Sequence, residues 1–380
     1  MTEKDRKISV VLAGGGTAGH TSPLIATASA LQRLDPDVQI TCVGTARGLE
    51  NQVVPAAGLD LELIPPVPMP RKPNLDLVKL PLRLRAAVQA ARKILDEAEA
   101  QAVVGFGGYV STPVYLAARQ KRIAIFVHEQ NAKPGLANKL AARFATGVFS
   151  AFPGTQLPGA EFLGMPVRAQ IAELAQADRF DRAEAQRQAR AAFGLATELP
   201  VVLVSGGSQG ARSLNRATEQ ATDELLARGV QILHVWGPKN FPDDAEPRTN
   251  PQSGARYVPV AYVDDMATAY AASDLMVARS GAGTVVETAM VGLPTILVPL
   301  PIGNGEQALN AEPVVQAGAA VLVPDAELND ARLLAEVEAL LDRRAEMSRA
   351  GRDLMRADAA DELARRVLAA IPQADSTEGR

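Results

Sequence analysis

The sequence predicts an α/β protein made of two Rossmann-like domains, and three observations support that prediction. Apolar, β-branched runs alternate with alanine-rich, charge-bearing segments through most of the 380 residues, a pattern typical of parallel strands joined by helices. A chain of this length also exceeds what one hydrophobic core usually holds. Both halves open alike, with ISVVLAGGGTAGH in the first and LPVVLVSGGSQGARSLN in the second, each an apolar strand that runs into a glycine loop and a helix.

Each half contains its own series of predicted strands. In the first half they are 8–13, 38–43, 102–105, 123–128 and 146–150; in the second they are 200–205, 230–236, 256–259, 275–278, 295–298 and 320–323. A polar, alanine- and arginine-rich stretch, 168–198, separates the two series, so the linker is placed just after Arg168.

The expected domains are therefore 1–168 and 169–349. Two helical segments follow Asp325. The C-terminal helix, about 350–372, is expected to pack back on the first domain, and the polar tail 373–380 is expected to be disordered.

Composition excludes several classes of protein. A net charge of -4 argues against a nucleic-acid binder. The single cysteine, Cys42, excludes an internal disulfide and a thiolate metal cluster, which favours a reducing compartment and a buried strand position for Cys42. The first six residues are unlike a secretory signal, and no apolar run approaches the roughly 20 residues that cross a bilayer, so any membrane contact is expected to be peripheral.

The first glycine loop matches GxGxxG through Gly14, Gly16 and Gly19. A dinucleotide site also needs an acidic residue at the end of the second strand, but that strand ends in the sequence CVGT, which argues against NAD. An NADP site could use Arg47 instead, so that alternative stays open.

His20 falls at the first turn of the next helix, where the helix dipole favours a neutral imidazole that could act as a base; a capping or packing histidine is the alternative.

Two further loops of the first half follow predicted strands, GFGGYVSTP at 105–113 and HEQN at 128–131. Ligands of open parallel sheets bind outside the carboxyl ends of the strands, so these loops are expected to converge with 14–20. His234, inside the strand QILHVWG, is expected to be a buried core residue.

The second half repeats this arrangement. Its loop GGSQGARSLN offers Gly206, Gly207 and Gly210 for close approach to phosphate oxygens, beside Ser208; a tight turn without a ligand is the alternative. The sequence RSGAGTVVE then places a small-residue turn, 280–284, after a strand. Glu287, one turn into the next helix, could accept both hydroxyls of a ribose or could be a solvated helix residue.

Taken in order, GGTAGH, GFGGYVS, HEQN, PVR, GGSQGA, RSGAGTVVE and then Gln307 with Asn310 resemble the motifs of the bacterial MurG family. The resemblance extends from about Ile8 to beyond Asn310. It implies a GT-B fold, two Rossmann-like domains with parallel sheets facing a central cleft, with nucleotide binding in the C-terminal half and the acceptor on the N-terminal half.

The family's activity follows as an expectation. N-acetylglucosamine would pass from UDP-N-acetylglucosamine to undecaprenyl-pyrophosphoryl-N-acetylmuramoyl-pentapeptide, lipid I, which gives lipid II for peptidoglycan synthesis. The resemblance implies a peripheral enzyme at the cytoplasmic face of the cell membrane, with an anionic membrane surface and cell-wall and division proteins as further partners.

By position, the resemblance also implies the residues that bind the donor. They are Thr17, Ala18, Gly19, Asn131, Arg168, Ser208, Val263, Ala282, Gly283, Thr284, Val285, Val286, Glu287 and Gln307. Two positions depart from the common family pattern: Ala18 stands where many members have a second glycine, and Met165 replaces an asparagine before Pro166.

The expected chemistry is an inverting displacement. The C4 hydroxyl of the acceptor attacks the anomeric carbon, His20 accepts its proton, and UDP leaves to give a β-1,4 bond. His128 and Glu129 are rival bases. Asp35 and Asp37 are the one literal match to the metal-binding DxD pattern, but they precede a strand, on the wrong edge of the sheet, so no metal or other cofactor is expected beyond a divalent cation that assists.

The segment 71–85, RKPNLDLVKLPLRLR, carries five basic residues against one acid, interleaved with leucines. Basic residues beside exposed apolar ones attract anionic lipid headgroups. The predicted membrane contacts are Arg71, Lys72, Leu75, Lys79, Leu82 and Arg83. A helix packed on the core with a solvated basic face is the alternative.

Other functions stay open at this stage. A UDP-N-acetylglucosamine 2-epimerase would share the donor loops without needing lipid contact, and a related glycolipid-forming transferase would keep the basic segment and change the acceptor. An NADP oxidoreductase leaves the second-half loops unexplained. A non-catalytic nucleotide-sugar sensor would need no base.

Overall fold

The computed structural model describes residues 7–16, 18–46, 48–67, 75–177, 179–207, 210–302 and 305–372, and for 18, 75–79 and 179 the backbone alone. The predicted α/β class is confirmed, with two Rossmann-like parallel sheets. The chain divides into two compact units, Met1–Arg168 with Asp358–Arg380, and Ala169–Ala357.

The first unit is built on a seven-stranded sheet, and the described strand pairs in it are all parallel. Its strand order is β3-β2-β1-β4-β5-β6-β7, which contains the 3-2-1-4-5-6 order of the doubly wound fold. The strands are β1 (Ser9–Ala13), β2 (Gln39–Gly44), β3 (Asp60–Leu63), β4 (Ala102–Gly105), β5 (Ala124–Glu129), β6 (Gly147–Ser150) and β7 (Ala160–Phe162).

Helices cover both faces of this sheet, because the apolar side chains of its central strands point to both sides and need cover. They are α1 (Ala18–Leu34), α2 (Glu50–Ala56), α3 (Leu75–Glu97), α4 (Gly108–Lys121) and α5 (Leu136–Ala141), joined by the last helix of the chain, α13 (Ala359–Ala369). Helix α13 packs against α1, where Leu363 and Val367 are fully buried in the same core as Leu31.

The second unit repeats the design around the order β10-β11-β9-β8-β12-β13-β14. The short β10 pairs antiparallel with β11, and the other described pairs are parallel. The strands are β8 (Val201–Ser205), β9 (Gln231–Val235), β10 (Arg248–Thr249), β11 (Arg256–Val260), β12 (Leu275–Ala278), β13 (Thr295–Leu297) and β14 (Ala320–Leu322).

Two helices of the second unit come from the stretch that separates the two strand series in the sequence. The helices of this unit are α6 (Ala169–Gln176), α7 (Arg179–Ala192), α8 (Arg212–Ala227), α9 (Met266–Ala272), α10 (Ala282–Val291), α11 (Glu306–Gln316) and α12 (Asp330–Leu354). Arg190 on α7 is buried, and its guanidinium forms an ion pair with Asp274 at 2.6 Å. The polar stretch is therefore part of the second unit's packing.

Three strands lie outside the predicted set. β3, β7 and β10 are two to four residues long, and their side chains are mostly exposed or half-buried. Two of them form the edges of the first sheet and the third is an edge of the second. Short edge strands carry a weak apolar signal, which explains why alternation alone did not reveal them.

The parallel order brings the loops of interest to one edge of each sheet. β1, β4 and β5 are neighbours with aligned registers, Ala13 beside Gly105 and Gly105 beside Val127. The loops that follow them therefore start at the same carboxyl edge. Within the described residues, the helices are too short or too polar to cross a membrane.

Replacing Leu363 by alanine tests how firmly α13 belongs to the first unit. Leu363 is fully buried, so the substitution should lower the free energy of unfolding by about 3 kcal/mol through lost apolar contact and a cavity. Urea unfolding monitored by circular dichroism measures it. Arg365→Ala, on the exposed side of the same helix, should change the midpoint little; equal effects would contradict this packing.

Candidate active site

The first glycine loop and the loop after β4 meet around His20. His20 is half-buried in the first turn of α1. A methyl group built on Gly107 would lie 3.5 Å from its Nε2, and one built on Gly108 would lie 3.7 Å from its Nδ1. Both glycines have positive φ, 88° and 79°, so the backbone there suits glycine and passes close to the imidazole. The predicted convergence of these two loops is confirmed.

The HEQN loop joins the same edge through the carboxylate of Glu129, which is 2% exposed. One oxygen accepts a hydrogen bond from the backbone N–H of Asn131 at 3.0 Å, and the other accepts from Gly135 N at 2.9 Å and from Asn138 Nδ2 at 2.9 Å. Asn138 in turn accepts from the Tyr115 hydroxyl at 2.9 Å. Glu129 thus holds the chain from 131 to 138 against α4.

His128 occupies the core below this loop. Its ring is fully buried, 6.0 Å from the Phe106 ring between centroids, and Nε2 lies 2.8 Å from the Gly164 carbonyl oxygen. Burial lowers the pKa of His128 to about 4, which the hydrogen bond to Gly164 only partly offsets. The imidazole is therefore neutral and shielded from solvent at neutral pH.

In the second unit, the loop after β8 is shaped by glycines that have no room for a side chain. A methyl on Gly206 would lie 2.4 Å from Ala211 N. Gly210 has φ 69°, and a methyl there would meet the Asn240 side chain and the Trp236 carbonyl. Helix α8 starts directly after this turn, so its free N–H groups face the loop. Ser208 lies outside the described residues, as do Thr17 and Arg47.

The RSGAGTVVE turn leads into α10, which begins at Ala282. Ala282, Val285 and Val286 are buried, so their side chains pack inside the second unit. Glu287 is half-buried and accepts a hydrogen bond from the Tyr270 hydroxyl at 2.8 Å, which restrains its carboxylate. Gly283 and Thr284 are half-exposed on the first turn of the helix.

The remaining predicted donor residues lie at the ends of other elements. Gln307 is in the first turn of α11, and its Oε1 accepts from Leu300 N at 2.9 Å. Val263 is buried in the loop before α9. In the first unit, Asn131 is half-buried, Gly19 is exposed in the first turn of α1, and Arg168 is the exposed last residue before the second unit.

Two other predictions from single residues are confirmed. His234 is fully buried in β9, between Asn215 and the Tyr257 hydroxyl, and burial lowers its pKa to about 3. Cys42 is buried in β2, where burial raises the pKa of its thiol to about 12. Across the part of the chain that the structure describes, no cluster of three His, Cys, Asp or Glu residues could hold a metal ion.

Both halves of the chain match the two domain models of one known family. Residues 10–150 match the model of the glycosyltransferase family 28 N-terminal domain, and 201–363 match that of its C-terminal domain. The chain belongs to glycosyltransferase family 28.

Relatives of known name cover the chain almost completely. A UDP-N-acetylglucosamine--N-acetylmuramyl-(pentapeptide) pyrophosphoryl-undecaprenol N-acetylglucosamine transferase from Cutibacterium acnes is 59% identical over 98% of this chain and 100% of its own length. The protein of the same name from Nocardioides is 54% identical over 94% and 97%. The solved structure of Acinetobacter baumannii MurG matches at 26% identity and a TM-score of 0.73, over 96% and 100%. These matches confirm the resemblance to the MurG family and the GT-B fold.

Sequence reasoning missed an ion pair that supports the predicted nucleotide loops of this family 28 chain. Arg279, directly after β12, is paired with Asp325 at 2.5 Å and donates to the Ser213 hydroxyl at 2.9 Å. Its Nη1 also donates to the Val298 carbonyl at 3.2 Å. Burial opposes ionisation of Asp325, but hydrogen bonds from Ser213 and Arg279 hold its pKa below the usual range. In the sequence, this ion pair was indicated only by a charged residue directly after an apolar strand.

The predicted membrane segment is described only in part. Arg71 and Lys72 lie outside the described residues, and for Leu75 and Lys79 only the backbone, at the start of α3, is described. Leu82 is 71% exposed, Arg83 is half-buried, and Leu84 packs on the core beneath α3. This stretch of α3 thus has one packed side and an exposed leucine.

Replacing Glu129 by glutamine should separate a structural role from a chemical one. The amide nitrogen of glutamine would face backbone N–H groups that now donate to a carboxylate, so we expect a loss of about 1–3 kcal/mol in the free energy of unfolding. Differential scanning calorimetry measures the shift. The exposed Glu97→Gln on α3 is the matched control, and an unchanged melting temperature for the Glu129 variant would contradict its holding role.

Proposed function

We propose that this protein transfers N-acetylglucosamine from UDP-N-acetylglucosamine to the C4 hydroxyl of the muramoyl sugar of lipid I, with inversion, to form lipid II in peptidoglycan synthesis. The observation that carries the proposal is the near full-length identity to transferases named for this reaction. The two loop systems, one in each unit, supply the kinds of groups that such a transfer requires.

His20 is the best candidate for the base that accepts the acceptor proton. It is half-buried rather than enclosed, it stands at the start of α1, and two glycines leave space beside its ring. The two rival bases are less accessible: His128 is fully buried with a low pKa, and the buried Glu129 accepts backbone hydrogen bonds on both oxygens. A general base must first be able to reach the proton that it accepts, and its pKa matters only after that condition is met.

Donor binding is assigned to the second unit. The leaving diphosphate needs positive potential, which backbone N–H groups at the starts of α8 and α10 supply. Glu287, whose carboxylate accepts a hydrogen bond from Tyr270, is the proposed acceptor of hydrogen bonds from the ribose hydroxyls. Ser208, Val263, Gln307 and the residues of 282–286 complete the proposed donor contacts, while Thr17, Ala18, Gly19, Asn131 and Arg168 approach the donor from the first unit.

A UDP-N-acetylglucosamine 2-epimerase on the same fold would use similar donor loops. Identity of 50% or more to proteins named as transferases, across nearly the whole chain, favours the transferase.

UDP release from UDP-N-acetylglucosamine, with and without a soluble lipid I analogue, tests the proposal directly. We expect release that depends on the acceptor, and little release with UDP-glucose as the control donor. Release without acceptor, or conversion of the donor to its C2 epimer, would replace the transferase by another activity.

His20→Ala should lower kcat by roughly 10²–10⁴-fold, the range that a general base supplies. UDP affinity, measured by isothermal calorimetry, should change little because the diphosphate and ribose contacts are assigned to the second unit. His20→Gln keeps similar bulk and should be equally slow. A fast His20→Ala enzyme would remove His20 from this role.

We also propose that the enzyme acts as a peripheral protein at the cytoplasmic face of the cell membrane, where its acceptor is anchored and where cell-wall and division proteins would meet it. The exposure of Leu82 supports this, as does the sequence of 71–85, which is rich in basic residues. Apolar insertion combined with basic charge is what holds peripheral helices on anionic lipid.

Replacing Leu82 by glutamate should weaken binding to vesicles that contain anionic lipid by roughly tenfold, because it removes apolar contact and adds a repelling charge. Vesicle sedimentation at low and physiological salt measures it. Leu34→Glu, an exposed leucine at the end of α1, is the control and should bind normally. Equal binding by both variants would favour a solvated helix face instead.

A further inference from the structure

Glu50, the first residue of α2, is fully buried beneath the first glycine loop. Methyl groups built on Gly15 and Gly44 would lie 2.5 Å from its side chain, and one on Gly48 would be closer still. None of these three glycines has a positive φ, so their backbone angles would admit other residues. What excludes a side chain at these positions is the space that the Glu50 side chain occupies, its carboxyl group at Gly15 and Gly48 and its Cγ at Gly44.

The carboxylate connects two loops. Oε2 accepts a hydrogen bond from Gly16 N at 2.8 Å, while Oε1 accepts from Thr45 N at 2.9 Å and from the Thr45 hydroxyl at 3.2 Å. Asn51 reinforces the second loop by donating to the carbonyls of Thr45, at 2.6 Å, and Gly48, at 3.0 Å. The loop after β1 is therefore tied to the loop after β2 through one buried side chain.

This connection bears on the position of His20. Gly16, with φ 90°, stands two residues before the start of α1, and His20 is in the first turn of that helix. Holding Gly16 N fixes where the helix begins, and hence where the imidazole lies against Gly107 and Gly108. The same hydrogen bond occupies one N–H group of the loop. In many glycine loops, such N–H groups bind a phosphate instead.

We propose that Glu50 is a positioning residue for the transfer reaction, acting through the loop 14–16 on His20. The inference rests on the proposed role of His20 as base. Hydrogen bonds to a charged acceptor are stronger than neutral ones, so a carboxylate holds the loop more firmly than an amide of the same shape. A small displacement of the base would slow proton transfer while leaving donor binding in the second unit unchanged.

The first test compares Glu50→Gln and Glu50→Ala with the exposed Glu62→Gln as the matched control. We expect kcat to fall at least tenfold for both Glu50 variants, with the affinity for UDP within twofold of the parent, and no change for Glu62→Gln. A kcat at the parent value, measured per correctly folded molecule, would overturn the proposal even if the melting temperature fell.

A double-mutant cycle with Gly48 tests the geometry itself. Gly48→Ala alone should displace the carboxylate and lower kcat at least fivefold, whereas in the Glu50→Ala background the same change should cost less than twofold, because the space is then empty. Equal effects of Gly48→Ala in both backgrounds would overturn the idea that the carboxylate is the constraint.

Hydrogen exchange separates this proposal from the proposed function. The amides of 14–16 should exchange at least tenfold faster in Glu50→Ala than in the parent, whether or not the protein transfers sugar. Faster exchange in a protein without acceptor-dependent UDP release would leave the loop contact standing and remove the catalytic role. Unchanged exchange in an active protein would overturn the proposal for Glu50 alone.

Discussion

At the carboxyl edge of a parallel sheet, each loop leaves the core with backbone N–H groups that no neighbouring strand satisfies. In the first unit, two buried carboxylates accept these groups. Glu50 holds Gly16 and Thr45, and Glu129 holds Asn131 and Gly135. A buried carboxylate is costly unless its oxygens are hydrogen-bonded, so each acid and its loop stabilise one another. His20 lies beside loops that are held in this way.

In the second unit, a side chain of the opposite charge satisfies the opposite kind of backbone group. Arg279 lies at the carboxyl end of β12 and donates to the carbonyls of Val298 and Pro299 after β13, while Asp325 balances its charge. Arginine suits this task because its planar group presents several donors at once. With β7 and the antiparallel β10 left aside, both sheets have the same order of six parallel strands. One unit nevertheless holds loop amides and the other holds loop carbonyls.

The repeated strand–loop–helix pattern could be predicted from the sequence because it depends on local properties. Apolar runs revealed the central strands of both sheets, and glycines marked the turns that follow them. The short edge strands β3, β7 and β10 escaped because edge positions need few apolar side chains. The stretch 168–198 looked like a separator, and only the packing of Arg190 against Asp274 shows why a polar, arginine-rich helix belongs to the second unit.

The sequence by itself determined the two-domain class, the order of the motifs and the family, since these depend on residue types at fixed spacings. Tertiary structure decided which titratable groups remain accessible. His128 and Glu129 look as reactive as His20 in sequence, but contacts with Gly164, Gly135 and Asn138 enclose them. Glu50 belongs to none of the motifs that the sequence shows. Its partner Gly16 is 34 residues away, and burial through such distant contacts is a property that no local pattern encodes.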